Sequence, residues 1–209
     1  MTARTLVVAT TNRGKAAEFA RLLSGLSARV VALSDIVADS PRVVEDGSTL
    51  AENAALKARA AARATGMLAL ADDSGLEVDA LDGRPGVRSA RFAGERATDQ
   101  ENYAELLAQL ARSAKPAPFG ARFRCALALV DPAAAGDGER LWTVEGVCEG
   151  TIGSEPRGAF GFGYDPVFVV AGRAETMAEL DPEEKNRLSH RARAVSALRP
   201  LLESLLAAQ

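Results

Sequence analysis

Two adjacent acids, Asp72 and Asp73, stand in Asp72-Asp73-Ser74-Gly75 directly after an apolar run. Neighbouring residues at a strand end point to opposite sides, so one of the two carboxylates faces any given pocket. Such a carboxylate suits a hard cation or the acceptance of a proton from water, although an acidic turn without chemistry has the same spacing. Upstream, Thr10-Thr11-Asn12-Arg13-Gly14-Lys15 also follows an apolar run and opens a helical pattern. A helix N-terminus presents unpaired N–H groups and a partial positive charge, Gly14 permits close backbone approach, and Lys15 adds a full charge. Together they suit a phosphate. The order is not that of a Walker A loop, and the same residues also read as a polar loop with Asn12 as helix cap.

Gly158 to Pro166 packs three glycines and three aromatics into nine residues of a chain that is only 5% aromatic. Rings offer flat surfaces on which a base can stack, and glycines let backbone donors and acceptors approach base edges, so a ligand loop is the favoured reading. In Glu183 to Arg191, Ser189 can cap a final helix with His190 and Arg191 in its first turn. Cations are disfavoured there unless an anion or a base offsets them; a solvated charged segment is the other reading. Glu52 has a structural role as a capping-box residue, whereas Glu45 has none in view. Either can join Asp73 around a metal.

The elements that must position these residues follow from periodicity. Leu6 to Ala9 reads as a buried strand, Lys15 to Leu23 as a helix, Val30 to Leu33 as a second strand, and the stretch to Ser48 as loop. Thr49-Leu50-Ala51-Glu52 is a capping box ahead of an Ala-rich helix that stops near Gly66, and Thr98 to Glu101 repeats the signature before Tyr103 to Leu110. Met67 to Ala71 and Leu76 to Leu81 read as strands on either side of the acidic turn. Phe119 to Val130 and Leu141 to Val147 alternate like strands around a turn-rich linker from Asp131 to Gly138, which predicts an antiparallel hairpin. Val167 to Val170 adds a strand, and Ser189 to Ala208 a helix bent at Pro200. The sum is an α/β chain with a mixed central sheet flanked by helices, a single domain over 1–209.

Composition narrows the chemistry. The chain has 209 residues, 47% of them hydrophobic, a formal net charge of −3, two Cys and one His. With so few His and Cys the usual four-ligand zinc site cannot form, so a metal here is a hard ion on carboxylates. Cys125 and Cys148 fall in apolar segments and are expected to be buried and free. The acidic balance argues against a nucleic-acid polymer as partner and leaves room for a single nucleotide. No apolar run approaches the ~20 residues of a membrane span, and Met1 to Arg4 leads into a strand without a signal-peptide layout, so a cytoplasmic protein is expected. Of the 25 basic residues only four are Lys: Lys15, Lys57, Lys115 and Lys185. In so Arg-rich a chain a Lys carries more information than an Arg.

Taken in order, these segments resemble the inosine/xanthosine triphosphate pyrophosphatase family, which removes dITP, ITP and XTP. The resemblance runs through Thr10 to Lys15, Thr49 to Ala54, Ala71 to Leu76, Pro85 to Arg91, Gly161 to Pro166 and Ser189 to Arg191. It implies an elongated two-lobed α/β fold with a central cleft, a homodimer, and Mg2+-dependent hydrolysis of a purine nucleoside triphosphate to monophosphate and pyrophosphate. It further implies that Thr10, Thr11, Asn12, Arg13, Gly14 and Lys15 hold the phosphates. Asp73 would be proton acceptor and metal ligand, with Glu45 as second ligand. Ser74, Phe162, Gly163, Tyr164, Asp165, Lys185, His190 and Arg191 would contact the nucleotide. The chain departs from the family pattern at Val44-Glu45-Asp46, where a Glu pair is common; Glu52 or Asp72 are then the alternative second ligands. A serine hydrolase built on Ser74 and His190 is disfavoured because Ser74 lacks the Gly-x-Ser-x-Gly elbow.

Overall fold

The computed structural model describes residues 4–38, 43–132 and 138–207. Strand β1 (Thr5–Val8) is buried at Leu6, Val7 and Val8 without alternation, as a strand covered on both faces must be. It leads into helix α1 (Arg13–Leu22), whose cap is Asn12: the side-chain oxygen accepts from the Lys15 N–H at 3.1 Å. Strand β2 (Arg29–Ala32) pairs parallel with β1. It ends one residue before the expected Leu33, because Leu33 buries its side chain at the start of a four-residue helix, α2 (Leu33–Ile36), in a stretch expected to be loop.

Helix α3 (Leu50–Thr65) starts at the expected capping box. Thr49 accepts from the Glu52 N–H at 3.1 Å while Glu52 accepts from the Thr49 N–H at 3.2 Å. It stops at Gly66, which takes the left-handed conformation (φ 66°) and donates its N–H to the Ala62 carbonyl. Helix α4 (Asp99–Ala111) has the second capping box, on Thr98 and Glu101.

Between them the expectation of two strands and a turn is overturned: β3 (Leu68–Val78) runs unbroken through Asp72-Asp73-Ser74-Gly75. Gly75 is a site of close backbone approach, where a Cβ would collide with the Gly86 carbonyl, and Ser89 Oγ accepts from the Leu76 N–H at 2.9 Å. The acids tolerate burial in a strand because each meets a lysine, as described below. Past Val78 the expected strand gives way to a 3-10 turn over Asp79–Leu81, and a second such turn covers Gly86–Arg91.

Strands β4 (Phe119–Asp131) and β5 (Arg140–Ile152) are neighbours, as a hairpin requires; of their turn-rich linker, residues 133–137 lie outside the described residues. Strand β6 (Phe168–Val170) follows a 3-10 turn that takes up Val167, and pairs antiparallel with β5. Helices α5 (Pro182–Leu188) and α6 (His190–Ala207) close the chain, with Pro200 inside α6. The sheet order is β2-β1-β3-β4-β5-β6, parallel at β2-β1-β3 and antiparallel at β5-β6, so the fold is the expected mixed α/β.

The chain divides into two compact units: Met1–Asp73 with Cys125–Gly146 and Ala194–Gln209, and Ser74–Arg124 with Val147–Arg193. The first has a core of Leu6, Phe19, Leu70, Leu127, Leu198 and Leu202 among others, the second one of Leu76, Leu106, Phe123, Phe168 and Met177 among others. Both cysteines are buried and neither is in a disulfide, as expected. Among the described residues no helix is long and apolar enough to cross a membrane.

Candidate functional site

Two clusters of charged side chains carry the candidate residues, one in each unit. In the first unit, β1 leads two residues past its end to Thr10, whose hydroxyl accepts from the Asn12 N–H at 3.2 Å, and Asn12 then caps α1. The first turn of α1 holds no acid but contains Lys15, so the partial positive charge of the helix end is reinforced. Thr11, Asn12 and Arg13 are exposed, while Gly14 and Lys15 are half-buried. The Lys15 ammonium reaches Asp72 Oδ2 at 2.8 Å.

Asp73 faces a different partner, as the alternation of a strand demands. Its Oδ1 accepts from Lys57 Nζ at 2.9 Å, and its Oδ2 from Asn53 Nδ2 at 3.2 Å. Asn53 and Lys57 stand four residues apart on α3, on one helix face. The same ammonium meets Glu45 Oε2 at 2.9 Å, so Glu45 and Asp73 converge on one cation. Burial pushes the Asp73 carboxyl above the ordinary carboxylate value, against the pull of Lys57 and Lys15. Burial also works to lower Lys57, but Asp73, Asp72 and Glu45 outweigh it and hold the ammonium above its ordinary value.

The alternative second ligands have other commitments: Glu52 Oε2 accepts from the N–H and hydroxyl of Ser48 and the N–H of Thr49, bonds that lower its pKa, and Asp72 is held by Lys15. Among the described residues no three His, Cys, Asp or Glu form a metal-holding group. A pair of carboxylates is nevertheless the protein share that Mg2+ commonly takes when substrate phosphates and water complete its octahedron, so the donor set fits that ion.

In the second unit, Ser74 is half-buried on β3 immediately after the acids. Asp165 and Lys185 form a buried pair at 2.7 Å, and Asp165 Oδ2 also accepts from the Phe162 N–H at 2.9 Å. Gly161 sits at φ 83°, where a Cβ would run into the Asp165 carboxylate. Gly163 donates its N–H to Asp99 Oδ2 at 2.6 Å, and the Tyr164 hydroxyl donates to the Ser89 carbonyl at 2.8 Å. Lys185 Nζ lies 4.7 Å and Arg191 Cζ 5.1 Å from the Phe162 ring centroid, within cation–π range. His190 is buried and stacks on Phe123 with centroids 4.8 Å apart. Ser189 caps α6 as expected, accepting from the Ala192 N–H at 3.2 Å. The run from Glu183 is no solvated segment: it forms α5, which Asp181 caps, and buries Lys185.

Three participants escaped the sequence reading: Lys57, Asn53 and Asp99. The scarcity of lysine was the available signal for Lys57. Asn53 lies in the Thr49 to Ala54 block and Asp99 in the Thr98 to Glu101 signature, but neither pattern points to the residue distant along the chain that each contacts.

These features define an α/β protein with a mixed six-stranded sheet and two lysine–carboxylate clusters. The chain belongs to the Ham1 family, whose model matches residues 6–201. It is 50% identical over 197 residues to a dITP/XTP pyrophosphatase of Geobacter sulfurreducens, covering 93% of this chain and 94% of that one. Against the dITP/XTP pyrophosphatase of Bacillus subtilis the identity is 47% over 198 residues, covering 95% and 96%. Among solved structures, a HAM1 protein from Coxiella burnetii superposes with a TM-score of 0.84 at 42% identity, covering 96% of this chain and 99% of that one. A nucleoside-triphosphatase / dITP/XTP pyrophosphatase from Mycobacterium abscessus gives a TM-score of 0.71 at 45% identity, covering 94% and 99%.

Proposed function

We propose that this protein is a cytoplasmic, homodimeric pyrophosphatase that hydrolyses dITP, ITP and XTP to the monophosphate and pyrophosphate, with Mg2+ as cofactor. The observation that carries the reading is the convergence of Glu45 and Asp73 on the Lys57 ammonium in a chain whose full-length relatives are dITP/XTP pyrophosphatases.

Phosphoryl transfer requires a triphosphate held in line with an attacking water and its charge neutralised. The N-terminus of α1, with Thr10, Thr11, Asn12, Arg13, Gly14 and Lys15, supplies backbone and side-chain donors for phosphate oxygens. Asp73 accepts the proton of the attacking water, a role suited by a carboxyl whose affinity for protons burial has raised. Lys57 keeps that carboxylate aimed and offsets its charge. Glu45 and Asp73 would hold Mg2+, which when bound would supply Lewis-acid neutralisation of charge on the phosphate oxygens.

Phe162 offers its ring to the purine, with Gly163 and Tyr164 shaping the loop and Asp165 holding Lys185. Ser74 adds a hydroxyl to the nucleotide contacts. Donors from His190 and Arg191 meet the 6-keto oxygen of hypoxanthine or xanthine, and an adenine amino group there leaves them unpaired.

The test is pyrophosphate release from dITP, ITP and XTP against ATP, GTP, dTTP and UTP, with and without Mg2+. The expected result is Mg2+-dependent release with the non-standard purines preferred, and near-complete loss in Asp73→Asn with nucleotide binding retained. A preference for dTTP or UTP, or wild-type turnover in Asp73→Asn, overturns the reading. Sedimentation at assay concentration checks the dimer.

A further inference from the structure

Asn53 is 1% exposed, and its side chain makes two bonds of opposite polarity. Nδ2 donates to Asp73 Oδ2 at 3.2 Å, while Oδ1 accepts from the Gly47 N–H at 2.8 Å. A backbone N–H only donates and an ionised carboxylate only accepts. A side chain that joins them must therefore carry both a donor and an acceptor, as the carboxamide of Asn53 does, and the two bonds fix the orientation of the amide.

The two ends of this bridge are chemically paired. Asn53 holds one oxygen of Asp73 while Lys57, one turn further along α3, holds the other. Gly47 lies two residues after Glu45, the second acid on Lys57. A Cβ at Gly47 would lie 2.6 Å from Asn53 Oδ1 and 2.8 Å from Glu52 Cβ, so the loop closes on the amide only with glycine there. Starting the helix does not require the amide, because Thr49 and Glu52 complete the capping box by themselves.

We propose that Asn53 is a positioning residue. Its carboxamide ties the loop carrying Glu45 to Asp73 and so sets the spacing and aim of the two carboxylates toward a divalent cation. The inference rests on the reading of Glu45 and Asp73 as ligands. It adds a residue that touches neither substrate nor metal and acts through both acids.

The test is Mn2+ binding to the nucleotide-free protein, followed by loss of the free-ion EPR signal, in wild type, Asn53→Ala, Gly47→Ala and the double variant, with melting temperatures alongside. Groups that orient metal ligands are typically worth about 10–100-fold in metal affinity, and that loss is expected in each single variant. The double variant is expected to lose no more than the weaker single one, since both cut one link. Raising Mg2+ should restore much of the dITP turnover of Asn53→Ala. A folded variant with a lower melting temperature but wild-type Mn2+ affinity overturns the proposal; if one variant does not fold, the other decides. Weakened Mn2+ binding in variants of a wild type that does not hydrolyse dITP upholds the positioning role and sinks the functional reading instead.

Discussion

Lys57 is the residue whose removal changes most at once. It is the named countercharge of Asp73 and also pairs with Glu45. In Lys57→Met the burial that raises the Asp73 carboxyl loses its main opponent. Proton binding at Asp73 therefore tightens, and the acid limb of kcat/KM moves to higher pH, with kcat reduced on the order of 100-fold or more. A pH–rate profile that keeps its acid limb in place would contradict this role.

Tyr164 gives a second pH dependence. Burial, with Asp99 adding to it, pushes its phenol well above the ordinary 10.0. Below pH 10 the phenol is protonated in both states and contributes no slope. Above it the unfolded chain ionises while the folded one does not, so stability falls as pH rises. Tyr164→Phe should lose that slope in urea titrations above pH 10, and cost about 1 kcal/mol at neutral pH through the lost bond to Ser89.

At the scale of elements, β3 has the most demanding task. It aims Asp72 at α1 and Asp73 at α3, and its next residues belong to the second unit. Continuity through four residues that look like a turn depends on Gly75, where the backbone of the 86–89 segment comes close. Gly75→Ala forces a Cβ against the Gly86 carbonyl, which cannot move away cheaply, and should destabilise by about 1–3 kcal/mol, the range for overpacking. Chemical denaturation measures it, and a neutral result would mean that the 86–89 segment yields freely. The helices were more legible because each carries its own punctuation: both capping boxes form at the residues that spelled them, and Ser189 caps α6.

At the scale of the molecule, β3, β4 and β5 each supply residues to both units, so neither core forms without strands that the other needs. A single cooperative unfolding transition is expected, with Leu127→Ala in the first core and Leu106→Ala in the second each costing about 2–5 kcal/mol. Two separate calorimetric transitions, one per variant, would show that the units melt independently.

The sequence by itself determined what local chemistry decides. Periodicity and caps set most helix and strand positions, and residue order through the motif blocks set the family. Glycine and aromatic content marked Gly158 to Pro166, and a shortage of lysine flagged Lys15 and Lys185. Only the tertiary structure decided which charges meet. Asp72 and Asp73 look equivalent in sequence, and strand alternation gives one to Lys15 and the other to Lys57 and Asn53. Lys57 and Glu45 are 12 residues apart, and Lys185 and Asp165 are 20 apart. Pairing across such separations depends on how helices and loops pack on the sheet, which no local pattern of residues encodes.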